Sequence, residues 1–169
     1  MQIKKIIAAI ILGVIIGFST PGCIVKAQTA TVSTKKHTAV SEIKVDETLY
    51  QNANSLDIVN HPNNYLNKKI KMDAVFDKFS TLGLDYKPAF RNSKDYISFL
   101  IRRNDVSDHV VPLSEMKLFL KRDLAEKFID LESGDKVQIY GRVFSTALGD
   151  PWIEVEHLKI TQKILKKKA

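Results

Sequence analysis

The sequence predicts a mainly β domain: a five-stranded Greek-key barrel with a short N-terminal helix and a second helix between the third and fourth strands. Three observations carry that prediction. From residue 70 to residue 161, apolar side chains recur at every second position in five separate stretches, the period of half-buried strands. Segments rich in Asn, Asp, Gly and Pro separate the stretches and supply turn chemistry. The longer helical period shows in two places, residues 47–59 and residues 123–131.

The 169 residues are 44% hydrophobic and 27% charged, a globular mixture that excludes a wholly disordered chain. A single cysteine, Cys23, rules out an internal disulfide and a cysteine zinc cluster. The net charge of +7 is misleading. Three lysines lie in the first 27 residues and four in the last seven; without them, nineteen basic residues balance nineteen acidic ones. The central region is neutral, which weakens the usual inference from a basic protein to nucleic acid.

Residues 1–27 read as a signal peptide. Lys4 and Lys5 precede thirteen apolar or glycine residues, Ile6 to Phe18, and Ser19-Thr20-Pro21-Gly22 then breaks any helix. Thirteen helical residues rise about 20 Å, short of the roughly 30 Å of a bilayer core, so no permanent span is expected. Val25-Lys26-Ala27 is a small-x-small pattern with cleavage after Ala27. Cys23 offers an alternative, because Gly22-Cys23 resembles the lipobox of bacterial lipoproteins, which would anchor the chain to the envelope by a lipid. The expected location is outside the cytoplasm, periplasmic or secreted. Residues 28–46 are rich in Thr, Ser and Ala and form a flexible spacer; residues 47–162 form the folded domain, and residues 163–169 a basic tail.

Within the domain, Leu49, Ala53, Leu56 and Ile58 or Val59 place a helix over 47–59, which His61-Pro62 ends. Asn67 suits a left-handed turn. Ile70, Met72, Ala74 and Phe76 form the inward side of the first strand. The second strand spans Asp95–Arg103, with Ile97, Phe99 and Ile101 opposite Tyr96, Ser98, Leu100 and Arg102. Met116–Arg122 fits a strand running into a helix. There Asp123-Leu124-Ala125-Glu126 is a candidate capping box, Leu124, Phe128 and Leu131 form an apolar stripe, and Gly134 is a stop. Lys136–Ser145 and Trp152–Thr161 complete the strands, with a register change near His157 that turns Leu158 or Ile160 inward.

Five strands with a helix between the third and fourth is the order of the OB-fold. Asp57-Ile58-Val59-Asn60-His61-Pro62, Tyr65-Leu66-Asn67-Lys68-Lys69-Ile70 and the run Gly134 to Val143 resemble small exported bacterial OB-fold domains, the tRNA-anticodon-binding-like barrels of unknown function. The resemblance spans residues 50–161 and implies a non-enzymatic binding module. Such domains often carry glycine where Asn67 and Ala74 stand. Asn67 substitutes readily; at Ala74 a sharp strand bend wants no Cβ, so tight closure is in question there.

Catalytic and metal motifs are lacking. The four histidines, His37, His61, His109 and His157, are too far apart in sequence for a ligand pair, and neither a G-x-S-x-G nor a phosphate loop occurs. No cofactor is expected. OB barrels bind along their second and third strands, which makes Lys71, Tyr96, Ser98 and Arg102 the candidate ligand face. Tyr96 beside Arg102 and Arg103 is a minimal version of the stacking and charge that single-stranded nucleic acid needs, but Asp73, Asp77 and Asp95 oppose it. Tyr140, Phe144 and Trp152 form a candidate partner patch if exposed; the competing reading has the N-terminal helix cover them. The leading expectation is an envelope protein or glycan as partner, with nucleic acid the alternative.

Overall fold

A computed structural model describes residues 44–164. Ala27 and Cys23, and with them the choice of processing, lie outside these residues. The architecture is organised by one long strand, β2 (Lys69–Ser80), which follows the two-residue β1 (Gln51–Asn52). The remaining strands are β3 (Tyr96–Ile101), β4 (Lys117–Lys121), β5 (Lys136–Ser145) and β6 (Trp152–Gln162). The first half of β2 pairs antiparallel with β5, from Lys69↔Arg142 to Val75↔Lys136. Its second half pairs antiparallel with β3, from Phe76↔Ile101 to Ser80↔Ser98. β3 continues to β4, β4 runs parallel to β6, and β6 returns antiparallel to β5. The ring closes, giving the five-stranded barrel of OB type; β1 is an added parallel partner on β2.

Closure succeeds with Ala74 in place because the bend falls elsewhere. The β2–β3 register slips between Phe76 and Lys78, so a bulge at Asp77 re-aims the strand from one partner to the other. The residue that cannot carry a side chain is Gly141, where a Cβ would stand 2.6 Å from the Glu154 carbonyl oxygen. Asn67 takes φ 64° as expected of a left-handed turn, and its N–H donates to the Val143 carbonyl at 2.7 Å.

The barrel interior holds Ile70, Met72, Phe76, Phe99, Leu118, Leu120, Val137, Ile139 and Ile153, each at most 2% exposed, and each contributing roughly 1.5–3 kcal/mol by leaving water. In β6 the register jumps between Tyr140↔His157 and Gly141↔Val155. Glu156 is the extra residue, and Leu158 turns inward behind it, as the sequence predicts.

The helices are shorter than periodicity predicts. Instead of one helix over 47–59, a 3-10 turn (Glu47–Leu49), β1 and α1 (Ser55–Asn60) follow one another. Asn54 caps α1, its Oδ1 accepting the Leu56 N–H at 2.9 Å. Ile58 is fully buried against the core, whereas Leu49 is 59% exposed. Pro62 then opens α2 (Pro62–Tyr65). Met116–Arg122 does run from strand to helix, but α3 is only Arg122–Ala125, followed by a 3-10 turn Glu126–Phe128. Lys121 stands at its N-cap without a side-chain bond, so Asp123 lies inside the helix and the capping box does not form. Phe128 and Leu131 still reach the core.

Asp135 closes the far end. Its buried carboxylate accepts the N–H groups of Glu132 and Ile164 and the Lys163 ammonium, all at 2.8 Å. Burial opposes its charge, but those donors prevail and hold it below the ordinary aspartate range. Lys163 and Ile164, at the start of the expected basic tail, are thereby held to the barrel.

Candidate functional site

Two coverings lie on the outside of the barrel and take in the predicted site residues other than Arg102. The first is the segment from Glu47 to Asn52. Tyr50 packs edge-on against Tyr140, ring centroids 5.2 Å apart. The Tyr50 hydroxyl donates to Glu156 at 2.6 Å, and the Lys69 ammonium joins the same carboxylate oxygen at 2.9 Å. The Tyr140 hydroxyl lies 2.8 Å from Glu47, and Lys71 pairs with Glu47 as well. Burial foremost, with the Glu47 carboxylate second, pushes the Tyr140 phenol up to about 12. Lys71, a predicted ligand contact, is thus engaged beneath this covering.

The second covering is the loop of residues 81–94. The outward side of β4 presents Phe119, and the start of β6 presents Trp152; both are essentially inaccessible. Their rings stack at 5.8 Å and 9° between planes, and Tyr86 from the loop also stacks on Trp152, at 5.1 Å and 20°. Trp152 Nε1–H donates to the Ala147 carbonyl at 2.7 Å. Arg91 lays its guanidinium over the Phe144 ring at 3.7 Å and donates to Glu154 at 2.9 Å. The Tyr96 hydroxyl takes the other Glu154 oxygen at 2.9 Å. Gly83 turns at φ 79°, and a Cβ there would meet the Trp152 ring at 3.1 Å, so the loop needs glycine to come this close.

Lys71, Tyr96, Ser98 and Arg102 therefore do not form one open face. Tyr96 packs in the cluster that Leu84 and Ala89 of the loop form with Phe119 and Trp152, and Ser98, opposite Phe119 in the β3–β4 ladder, is 3% exposed. Arg102 sits at the other end of β3, bonded to Ser133 at 2.8 Å and 4.0 Å from Asp77. Barrel curvature carries alternate residues of one strand to different neighbours. Tyr140, Phe144 and Trp152 are likewise no surface patch. Tyr140 and Trp152 are each 1% exposed and belong to different coverings. The cover over Tyr140 comes from Tyr50 and Glu47, not from a helix through Leu49, Leu56 and Ile58.

Sequence reasoning missed three exposed apolar side chains on the loops beside Trp152: Leu82 at 56%, Phe90 at 55% and Leu148 at 73%. Leu148 holds φ 62°, a left-handed conformation in which a branched side chain is strained. Beside the aromatic stack, Lys94, Asp95, Tyr96, Lys121, Arg122 and Asp123 line an open cleft of about 370 Å³, with both signs of charge present. Glu154 and Glu156 diverge to separate coverings at the bulge. Among the described residues no cluster of His, Cys, Asp and Glu has the makings of a metal site, and no helix is long and apolar enough to cross a membrane.

No protein family matches the chain, and none of the curated proteins matches it in sequence. Among solved structures, asparaginyl-tRNA synthetase from Pyrococcus horikoshii, complexed with asparaginyl-adenylate, is similar over 60% of this chain and 20% of its own, at 18% identity and TM-score 0.39. The chain thus spans about a fifth of that enzyme's length. An OBody bound to hen egg-white lysozyme is similar at 16% identity and TM-score 0.41, over 60% of this chain and 88% of its own. The Stn1–Ten1 complex of S. pombe is similar at 8% identity and TM-score 0.35, over 56% of this chain and 59% of the other. The barrel assignment rests on the strand pairings above.

Proposed function

We propose that this chain is an exported, non-catalytic OB-fold binding module whose partner is a protein of the cell envelope, met at the two loops beside Trp152. The observation that carries the reading is Leu148. Its side chain is 73% exposed on a backbone at φ 62°, a combination that lowers stability. Leu82 and Phe90 stand exposed on the neighbouring loop. Three apolar tips around a rigid tryptophan suit a protein surface, where apolar and aromatic anchors carry most of the affinity. The leader-like residues 1–27 support export.

Nucleic acid is the less favoured partner. Nineteen cations face nineteen acids between the two basic ends, and the Glu154 carboxylate stands beside the aromatic rings, bonded to Arg91 and Tyr96. The test is capture from an envelope extract by the full chain. The expected result is a discrete partner, recovered at least tenfold less by Leu148→Gly or Phe90→Ser. Equal recovery by these variants, or salt-sensitive binding of single-stranded oligonucleotides in their place, would overturn the reading.

A further inference from the structure

The loop of residues 81–94 fills the outer groove of β3, β4 and β6 with one aromatic ring and one guanidinium. Tyr86 lies flat on Trp152, and Arg91 lies on Phe144 with its Nη2 on Glu154. As a cover it fits imperfectly. Ser98, on the same side of its strand as Tyr96 and opposite Phe119, is 3% exposed, yet its hydroxyl has no hydrogen-bond partner. The Arg91 Nε–H is buried and unpaired as well. Buried polar groups are ordinarily satisfied, and each that is not lowers stability. Meanwhile the loop turns Leu82 and Phe90 outward.

The attachment is also of a kind that comes apart locally. Among the described residues, the backbone bonds of residues 83–91 close upon that stretch: Tyr86 N–H to Gly83, Ala89 N–H to Tyr86, Arg91 N–H to Leu84; at the loop's end the Tyr96 N–H of β3 donates to the Asn92 carbonyl at 2.9 Å. Side chains alone hold residues 83–91 to the barrel. Lifting them breaks no strand ladder, so the opening is sub-global.

We propose that this groove is a binding site for a peptide segment carrying an aromatic side chain and an arginine, which the chain's own loop occupies in cis and must vacate. The inference rests on the partner being a protein, and it names the chemistry that partner presents. The occupant defines the fit. With Arg91 withdrawn, the groove shows a flat Trp152–Phe119 platform, the Phe144 face, the Ser98 and Tyr96 hydroxyls and an uncompensated Glu154 carboxylate. That carboxylate attracts a guanidinium, bidentate in the best case, and repels a phosphodiester. The platform receives a planar ring. A segment that also satisfies Ser98 displaces the loop.

Trp152 is the only tryptophan, so its emission reports on the groove directly. The probe is a fluorescein-labelled synthetic peptide of residues 81–94, with a control in which its tyrosine and arginine are alanine. Full-length protein with Tyr86→Ala and Arg91→Ala together should bind the probe at least tenfold more tightly than wild type, shift Trp152 emission and ignore the control. Adding Glu154→Gln should weaken binding at least fivefold. Equal binding by wild type, no binding to a folded double variant, an indifferent Glu154→Gln, or tighter binding of oligothymidylate than of the peptide would overturn the proposal. If the double variant does not fold, hydrogen exchange on wild type decides. Excess probe should speed exchange at Leu84–Arg91 while β3 and β4 stay protected; unchanged rates overturn the proposal. A partner captured through Leu148 with no probe binding removes this inference and leaves the broader function. Probe binding without envelope capture does the reverse.

Discussion

Two aromatic coverings lie on one barrel, and they are finished to different standards. Under Glu47–Asn52 the polar atoms are matched: the Tyr50 and Tyr140 hydroxyls, Lys69 and Lys71 all have partners, and β1 adds ladder bonds to β2. Under residues 81–94 the rings pack closely, but the Ser98 hydroxyl and Arg91 Nε are orphaned and no ladder joins loop to barrel. Similar side chains thus serve two purposes. A covering with matched polar groups and shared backbone bonds belongs to the cooperative fold. One held by side chains over unmatched groups can leave without unfolding it.

Removing one ring from each covering tests the comparison most strongly. Tyr50 is buried, meets Tyr140 edge-on and carries the Lys69 ammonium 5.2 Å above its ring. Tyr50→Ala should lower global stability by about 3 kcal/mol, as large-to-small changes at packed aromatics do. Tyr86 is half-buried in a loop whose residues 83–91 share no backbone bond with the barrel. Tyr86→Ala should lower global stability by about 1 kcal/mol or less. It should nevertheless speed exchange throughout 84–91. Urea melts read by far-ultraviolet circular dichroism supply both numbers. Equal losses would mean that the two coverings belong to one cooperative unit, and the distinction would fail.

How much of this was legible in the sequence depends on the range of the interactions involved. Strand positions follow from alternation, a property of a few consecutive residues, and Lys136–Ser145 came out with both bounds as observed. The bulge beside His157 was legible for the same reason, because Val155 and Leu158 cannot face one core without an extra residue. The helices were overread. Leu49 and Leu56 have helical spacing, but Asn54 caps a new helix between them and Tyr50 is drawn to the barrel wall. The candidate site was read least well. Lys71, Tyr96, Ser98 and Arg102 share outward strand positions, yet what each meets, a covering for the first three and Ser133 and Asp77 for Arg102, depends on segments far away in sequence. The exposed Leu148 left one faint signal, a bulky residue just before Gly149 in a turn.

Alkali sharpens the comparison on the matched side. Tyr140 is neutral in the fold to about pH 12, raised by burial first and then by Glu47, whereas an unfolded tyrosine titrates near 10. A raised folded pKa means that the phenol's contribution is complete below about pH 10 and is lost as pH climbs toward 12. Tyr140→Phe removes both that dependence and the bond to Glu47, which costs about 1 kcal/mol at neutral pH. Tyr96, under the loop, is also raised, by burial and Glu154. The informative quantity is therefore the difference between wild type and Tyr140→Phe melts from pH 8 to 11. The difference should shrink with pH; a constant gap would show that the fold does not hold the Tyr140 phenol above its unfolded value, and the matched covering would lose its pH signature.

The smallest effect lies beside the unmatched covering and has the opposite sign. Leu148 sits at φ 62° with its side chain in solvent, so the fold gains nothing from its burial and bears the left-handed strain of about 1 kcal/mol. Leu148→Gly relieves that strain, but glycine frees the unfolded chain by part of the same amount. The net expectation is a stabilisation of about 0.5 kcal/mol, measured by thermal melts alongside the capture experiment. A variant that melts higher and captures less shows the leucine kept for contact at the expense of stability. One that melts lower would place the Leu148 side chain among the packing residues of the Trp152 cluster, and the loops beside the groove would lose their claim to be a contact surface.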